Sequence, residues 1–329
     1  MIIDIYTHIA PKTFLDRMVT LAPKLGNIVN RLLSVKPLYD LDIRFRDMDT
    51  VQDYRQLVSL PTPSLEEIGP VETGRELARI ANTELAELCR KHPDRFIGFA
   101  AAVHLGDVEA AIREADHAIH QLGAKGVLIY NHVDGVPLDD KRFRPFFAAM
   151  AEWKRPIWLH PTRSAAVSDY ASEAKSRFEM WWCFGWPYDT SVAMTRLVFD
   201  GLFDRHPDLD IITHHMGGMI PFFDGRVGPG LDVLGARTSD EDYSQILPSL
   251  KKPHMEYFKQ FHGDTAMFGA TTGVKCGLDF FGPSKVVFAT DSPVGPIKKT
   301  FDGVNSMDLK PSAKRFSMAM PQNFCGFDL

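Results

Sequence analysis

The chain reads as an α/β protein, a (β/α)8 TIM barrel whose chemistry sits at the C-terminal ends of the strands. Short apolar runs of β type alternate with helical patterns at a spacing that suits repeated βα units. About eight such runs can be counted, enough to close a parallel sheet on itself. Histidines, and then an aspartate, recur where those runs end, and a length of 329 residues suits one such barrel with insertions.

Taken in order, the first strand is the apolar run Ile2 to Ile5, leading into Tyr6-Thr7-His8. Alternate strand residues face the same side, so Tyr6 and His8 should project together. Leu21 to Asp47 fits no clean βα unit and is expected to be an insertion over the barrel mouth. The second strand is Gln56 to Leu60, stopped by the turn-forming Ser59-Leu60-Pro61-Thr62-Pro63. Helix Gly74 to His92, strand Phe96 to Ala101 and helix Asp107 to Leu122 follow, with Asp107 placed to cap its helix. Then come strand Gly126 to Tyr130, helix Phe143 to Trp153 and strand Ile157 to His160. The last three strands are Asp210 to Thr213, a weakly marked one near Phe261 to Thr265, and Val286 to Ala289. Neither a repeat nor a linker interrupts the series, so residues 1–329 are expected to form one domain.

Composition narrows the function. Hydrophobic residues make up 45% and charged residues 24%, as in an ordinary soluble globular protein. The net charge is -5 and Lys and Arg are scattered, which argues against a nucleic-acid partner. No segment approaches the roughly 20 apolar residues of a membrane span. Cys89, Cys183, Cys276 and Cys325 lie far apart, so neither a thiolate zinc site nor a disulfide framework is expected, and a cytoplasmic location follows.

The candidate site residues fall into strand order. Tyr6 and His8 end the first strand, His160 the fifth, His214 and His215 the sixth, and Asp291 follows the eighth. Enzymes on this fold converge side chains from different strands at that end, and imidazole and carboxylate together are metal-ligand chemistry. Tyr6 stands where a histidine is expected; a phenolate lowered by a cation is a hard donor suited to iron or manganese. His214 and His215 are consecutive and would face opposite ways unless the chain bends at the strand end.

These stretches resemble the amidohydrolase superfamily, in the branch of aminocarboxymuconate semialdehyde decarboxylase and related aromatic acid decarboxylases. The resemblance covers nearly the whole chain and rests on Asp4-Ile5-Tyr6-Thr7-His8, Lys91-His92-Pro93-Asp94-Arg95-Phe96, Gly135-Val136-Pro137-Leu138, Trp158-Leu159-His160-Pro161, Gly185-Trp186-Pro187-Tyr188, His214-His215-Met216-Gly217-Gly218 and Phe288-Ala289-Thr290-Asp291-Ser292-Pro293. It implies that His8, His160 and Asp291 hold a divalent ion. Counting back from Pro221, it puts His215 on the catalytic histidine and leaves His214 surplus. Tyr6 with His214 and His215 is also similar to a dinuclear-iron subgroup with a tyrosine ligand, so the ligand set Tyr6, His8, His160, His214, His215 and Asp291 stays open between one ion and two, of iron, manganese or zinc.

Hydrolysis of a small acyl or carboxylated substrate by metal-activated water is the main expectation, with His215 and Asp291 as the catalytic pair. Nonoxidative decarboxylation of an aromatic or unsaturated acid is the first alternative. Oxygen chemistry at a pair of iron ions or an iron–manganese pair, or an inactive subunit of a heteromer, comes after it. Arg163, Trp186, His132 and His262 are candidate substrate contacts, Arg163 through its planar fork. The partners expected are a small-molecule substrate and further copies of the chain, or a related barrel.

Overall fold

The apolar run at the N-terminus extends further than its composition suggests, because it pairs on both sides. In the computed structural model, which describes residues 1–21, 26–237 and 241–308, strand β1 spans Ile2–His8 and so carries Tyr6 and His8 within it. It lies parallel to β2 (Tyr54–Ser59), with the register slipping by one residue between Asp4 and Thr7. Such an irregularity re-aims the side chains around it. β3 (Phe96–Ala102), β4 (Gly126–Tyr130), β5 (Ile157–His160), β6 (Ile211–Thr213), β7 (His262–Asp264) and β8 (Val286–Val287) follow in spatial order, all parallel. Three main-chain bonds bring the end of the sheet back to its start: Ile5 N to Phe288 O (3.1 Å), Asp291 N to Tyr6 O (3.2 Å) and His8 N to Ser292 O (2.7 Å). Eight parallel strands thus make the expected barrel.

Helices Val71–Lys91, Val108–His120 and Arg144–Glu152 pack outside it, close to their expected bounds. Asp107 caps its helix as expected, accepting a hydrogen bond from Ala110 N at 2.9 Å. Inside, Ile3, Ile5, Leu57, Ala100, Leu128, Trp158, Ile212, Val287 and Ala289 form an apolar plug below the site. Trp158 reaches across the interior and donates from Nε1 to Ile5 O at 2.8 Å. Its fit needs Gly126, where a Cβ would lie 2.7 Å from the indole. An aromatic side chain of this size, fully buried, contributes roughly 4–6 kcal/mol. The plug is therefore a rigid floor for whatever stands above it.

Helices Gly26–Ser34 and Leu41–Met48 occupy the segment expected to be an insertion. Cys325 lies outside the described residues. Among the described residues no helix is long and apolar enough to cross a membrane.

Candidate metal centre

Strand register assembles the cluster. Tyr130 pairs with His160, Leu159 with Thr213, and Thr213 with Gly263, so His160, His214 and Asp264 arrive at one level at the C-terminal mouth, where His8 ends β1. The nitrogens of His8, His160 and His214 can all lie within 4.8 Å of one another, and so can donors of His214, His215 and Asp291. Asp291 Oδ1 is 3.2 Å from His8 Nε2 and 3.4 Å from His214 Nε2. Donors around one ion at metal–ligand distances of about 2.1 Å sit about 3.4 Å apart in a tetrahedral shell. The spacing fits a shared cation.

Each imidazole has its far nitrogen fixed. A carbonyl oxygen only accepts, so the bonds from His8 Nδ1 to Leu60 O (3.0 Å), His160 Nδ1 to Pro161 O (2.6 Å) and His215 Nδ1 to Ala266 O (2.8 Å) place the proton on Nδ1 in all three rings. His214 Nδ1 meets the carboxylate of Asp264 at 2.5 Å. With Nδ1 committed, Nε2 is the nitrogen that each ring has to offer a cation, the arrangement in which metal-binding histidines are held.

The bend needed for the consecutive histidines is present. His214 keeps an extended backbone (φ -75°, ψ 153°), whereas His215 and Met216 take φ of 52° and 56°. That left-handed turn brings both rings to one side, stacked with centroids 3.8 Å apart. Tyr6 stacks on the other face of His214, also at 3.8 Å. Asp291 is left-handed too, at φ 62°, and the preceding Thr290 is tied to Asp4 by its amide (3.2 Å) and hydroxyl (2.5 Å).

Three buried atoms here have no hydrogen-bond partner: Tyr6 Oη, His8 Nε2 and His214 Nε2. Each orphan costs about 1–3 kcal/mol in a folded protein unless a ligand meets it. The electrostatics agree with strong coupling. Burial would raise Asp291, but His214 and His8 hold it well below the usual carboxylate range. Burial alone would lower His214, yet Asp264 and then Asp291 outweigh it and take it up to about 9. Burial, then His8 and His214, press His160 well below its ordinary value, and burial and His214 bring His215 down to about 4. Burial above all, with Asp264, Tyr130 and Asp291, keeps Tyr6 far above 10 while no cation is near.

The cluster opens into a cavity of about 430 Å³, lined by His215, Asp291, Trp186, Trp182, Phe268 and Arg31 among others. Three roomier clefts of about 550, 690 and 720 Å³ lie elsewhere, with no comparable set of donors among the described residues. Trp186, a candidate substrate contact that does line the cavity, packs edge-on to His160 at 5.7 Å, and its Nε1 is buried without a partner. Arg31, on helix Gly26–Ser34, lies over Trp182 (5.2 Å) and Trp181 (5.6 Å), and its Nη1 is buried and unpartnered.

Three expected contacts lie elsewhere. Arg163 is held by Asp189 at 3.0 Å and does not line the cavity. His132 accepts Gly135 N–H within a two-strand hairpin. His262 begins β7, away from the mouth, and its Nε2 faces Asp210 (2.7 Å) and Lys285 (3.1 Å). Arg31 and Asp264 were not singled out from the sequence; the only local signal for Asp264 is a carboxylate at the end of a strand.

Residues 3–313 match the amidohydrolase family. A gamma-resorcylate decarboxylase of Rhodococcus jostii (strain RHA1) is 33% identical over 278 residues, covering 80% of this chain and 78% of its own length. A 2-amino-3-carboxymuconate-6-semialdehyde decarboxylase of Dictyostelium discoideum is 24% identical over 341 residues, covering 98% and 89%. The crystal structure of a 2,6-dihydroxybenzoate decarboxylase from Rhizobium superposes with a TM-score of 0.81 at 26% identity, covering 100% of this chain and 99% of that one. All three are decarboxylases, which favours the decarboxylase alternative over the hydrolase expectation.

Proposed function

The chain is a member of the amidohydrolase family, and from that premise we propose that it is a metal-dependent, nonoxidative decarboxylase of an aromatic carboxylic acid with a ring hydroxyl beside the carboxylate. The observation that carries the reading is the convergence of unpartnered Tyr6 Oη, His8 Nε2 and His214 Nε2 with the Asp291 carboxylate at the base of an aromatic-walled cavity. His8, His160, His214 and Asp291 would hold one divalent ion, with the Tyr6 oxygen as a further donor. The two donor groups share His214, and Asp291 touches both His8 and His214, which suits one ion better than two. When bound, such an ion acts as a Lewis acid for the substrate's carboxylate and neighbouring oxygen.

The chain's own residues supply the rest. Trp186, Trp182 and Phe268 wall the cavity and suit the faces of an aromatic ring. Arg31 offers its buried, unpartnered Nη1 to an anionic oxygen, a charge-assisted bond. His215, neutral with its Nδ1 proton given to Ala266 O, takes the proton of the ring hydroxyl on Nε2. It returns that proton to the ring carbon bearing the carboxylate. The carbon–carbon bond then breaks, its electron pair restores the aromatic ring, and carbon dioxide leaves. The product phenolate is reprotonated from solvent, so protons balance.

The test is incubation of manganese- or zinc-loaded protein in deuterated water with a panel of ortho-hydroxylated benzoates. Carbon dioxide release, with deuterium at the carbon that lost the carboxylate and loss of turnover on chelation, is expected. Turnover of esters or amides with no carbon dioxide from any acid would return the chain to hydrolysis.

A further inference from the structure

His214 is closed on three sides. Tyr6 covers one face of its ring at 3.8 Å and 23°, His215 the other at 3.8 Å and 25°, and Asp264 holds Nδ1 at 2.5 Å. Only the Nε2 edge remains, and it points toward Asp291 at 3.4 Å without a hydrogen bond. Asp264 is itself completely buried. Its other oxygen accepts from Met216 N (3.3 Å) and Ala266 N (3.1 Å), which fastens the carboxylate to the left-handed turn after His214 and to the strand end that carries it.

We infer that Asp264 is a positioning residue that makes His214 a working metal ligand: it keeps the imidazole proton on Nδ1 and delivers the Nε2 lone pair to the ion. Bare histidine can place its proton on either nitrogen, and the wrong tautomer points an N–H at a cation. A carboxylate on Nδ1 removes that choice and raises the basicity of the ring, the role outer carboxylates play behind metal-binding histidines. The two ring stacks then fix the direction of the lone pair. In the pattern of the related decarboxylases His214 is surplus; with Asp264 behind it, it adds a third imidazole to His8 and His160.

The inference rests on the reading of the cluster as a metal centre, and the experiment separates the two. Affinities of metal-stripped protein for manganese and zinc are measured by competition titration, without substrate, in wild type, Asp264→Asn, His214→Gln and the double variant. An asparagine at 264 can donate its amide N–H to Nδ1 and push the proton to Nε2. Each single change should weaken binding about 10- to 100-fold. The double variant should bind no more weakly than His214→Gln to within about twofold, because residues acting through one another are not additive. Wild-type affinity in either single variant, or a double variant weakened by the product of the two, would overturn it. Wild-type protein that takes up neither metal would instead sink the metal-centre reading, and metal binding without carbon dioxide release would sink only the decarboxylase.

Should Asp264→Asn fail to fold, nitrogen-15 histidine spectra of wild-type protein give the same answer. One Nδ1-protonated ring, assigned by its absence in His214→Gln, should keep that proton and shift at Nε2 when zinc is added. A ring unmoved by zinc contradicts the assignment.

Discussion

The cluster around Asp4 and the cluster around His8 are both buried and both anchored on β1, yet one is closed and the other open. Asp4 accepts from Tyr6 N, Thr290 N, the Thr290 hydroxyl and the Tyr54 hydroxyl. Gln56 bridges Tyr54 to Arg44 (3.0 and 2.9 Å), and the fully buried Arg44 also donates to His8 O (2.6 Å) and Thr7 Oγ1 (3.2 Å). None of these side-chain atoms is left over. Two and four residues further along the same strand, Tyr6 Oη and His8 Nε2 are left over, as is His214 Nε2 opposite them. Burial and displaced proton affinities occur in both clusters, since Asp4 itself is pushed up to about 7 by burial against its hydrogen bonds. Satisfaction of hydrogen bonds is what separates a structural network from a site that awaits a ligand.

The largest expected effect breaks the open cluster. Asp291→Ala should cut turnover on the order of 10⁴-fold, the scale of deleting one member of a catalytic unit, and the purified variant should carry no metal. A metal-bound variant with full activity would remove Asp291 from the centre. Next, Arg44→Met breaks the closed cluster: removing one partner of a buried polar network should lower unfolding free energy by about 3–5 kcal/mol, read from denaturant midpoints on metal-free protein. A loss below about 1 kcal/mol would show that the closed network is not structural. Arg31→Ala should raise KM about 10- to 100-fold, the equivalent of one charge-assisted hydrogen bond, with a smaller change in kcat. An unchanged KM would make Arg31 a packing partner of Trp181 and Trp182.

A further effect is in pH dependence. An acid whose folded pKa is raised from 3.8 to about 7 keeps its proton longer in the folded state. Its contribution is fully present below pH 3.8 and is lost as pH rises through about 7. Metal-free wild type should therefore lose stability relative to Asp4→Asn between about pH 4 and 7, and the difference should level off above that. A gap that widens in the opposite direction contradicts a raised Asp4.

The sequence carries the barrel because its signals are local: β4 and β5 occupy their expected residues, and Asp107 caps its helix. Donors at strand ends are legible for the same reason, since strand termini are readable and the fold aims them at one mouth. What was not legible depends on register or on turns. Asp264 matters only because Thr213 pairs with Gly263, which sets it beside His214. His262 was expected to contact the substrate, yet it begins its strand, away from the mouth, and so it meets Asp210 and Lys285. The common direction of His214 and His215 needs a positive φ at a residue that is not glycine, for which the sequence has no marker. Arg31 lies in a segment with no βα pattern, and Arg163 is taken up by Asp189.

The central claim is that the open donors on β1 and β5, after β6 and after β8 belong to one ion. Elemental analysis of protein purified without added metal, with the optical spectrum of an iron-loaded sample, tests it most directly. One divalent ion per chain, together with a visible phenolate-to-iron band from Tyr6, is the predicted result. Two ions per chain, or none with the fold intact, would contradict it.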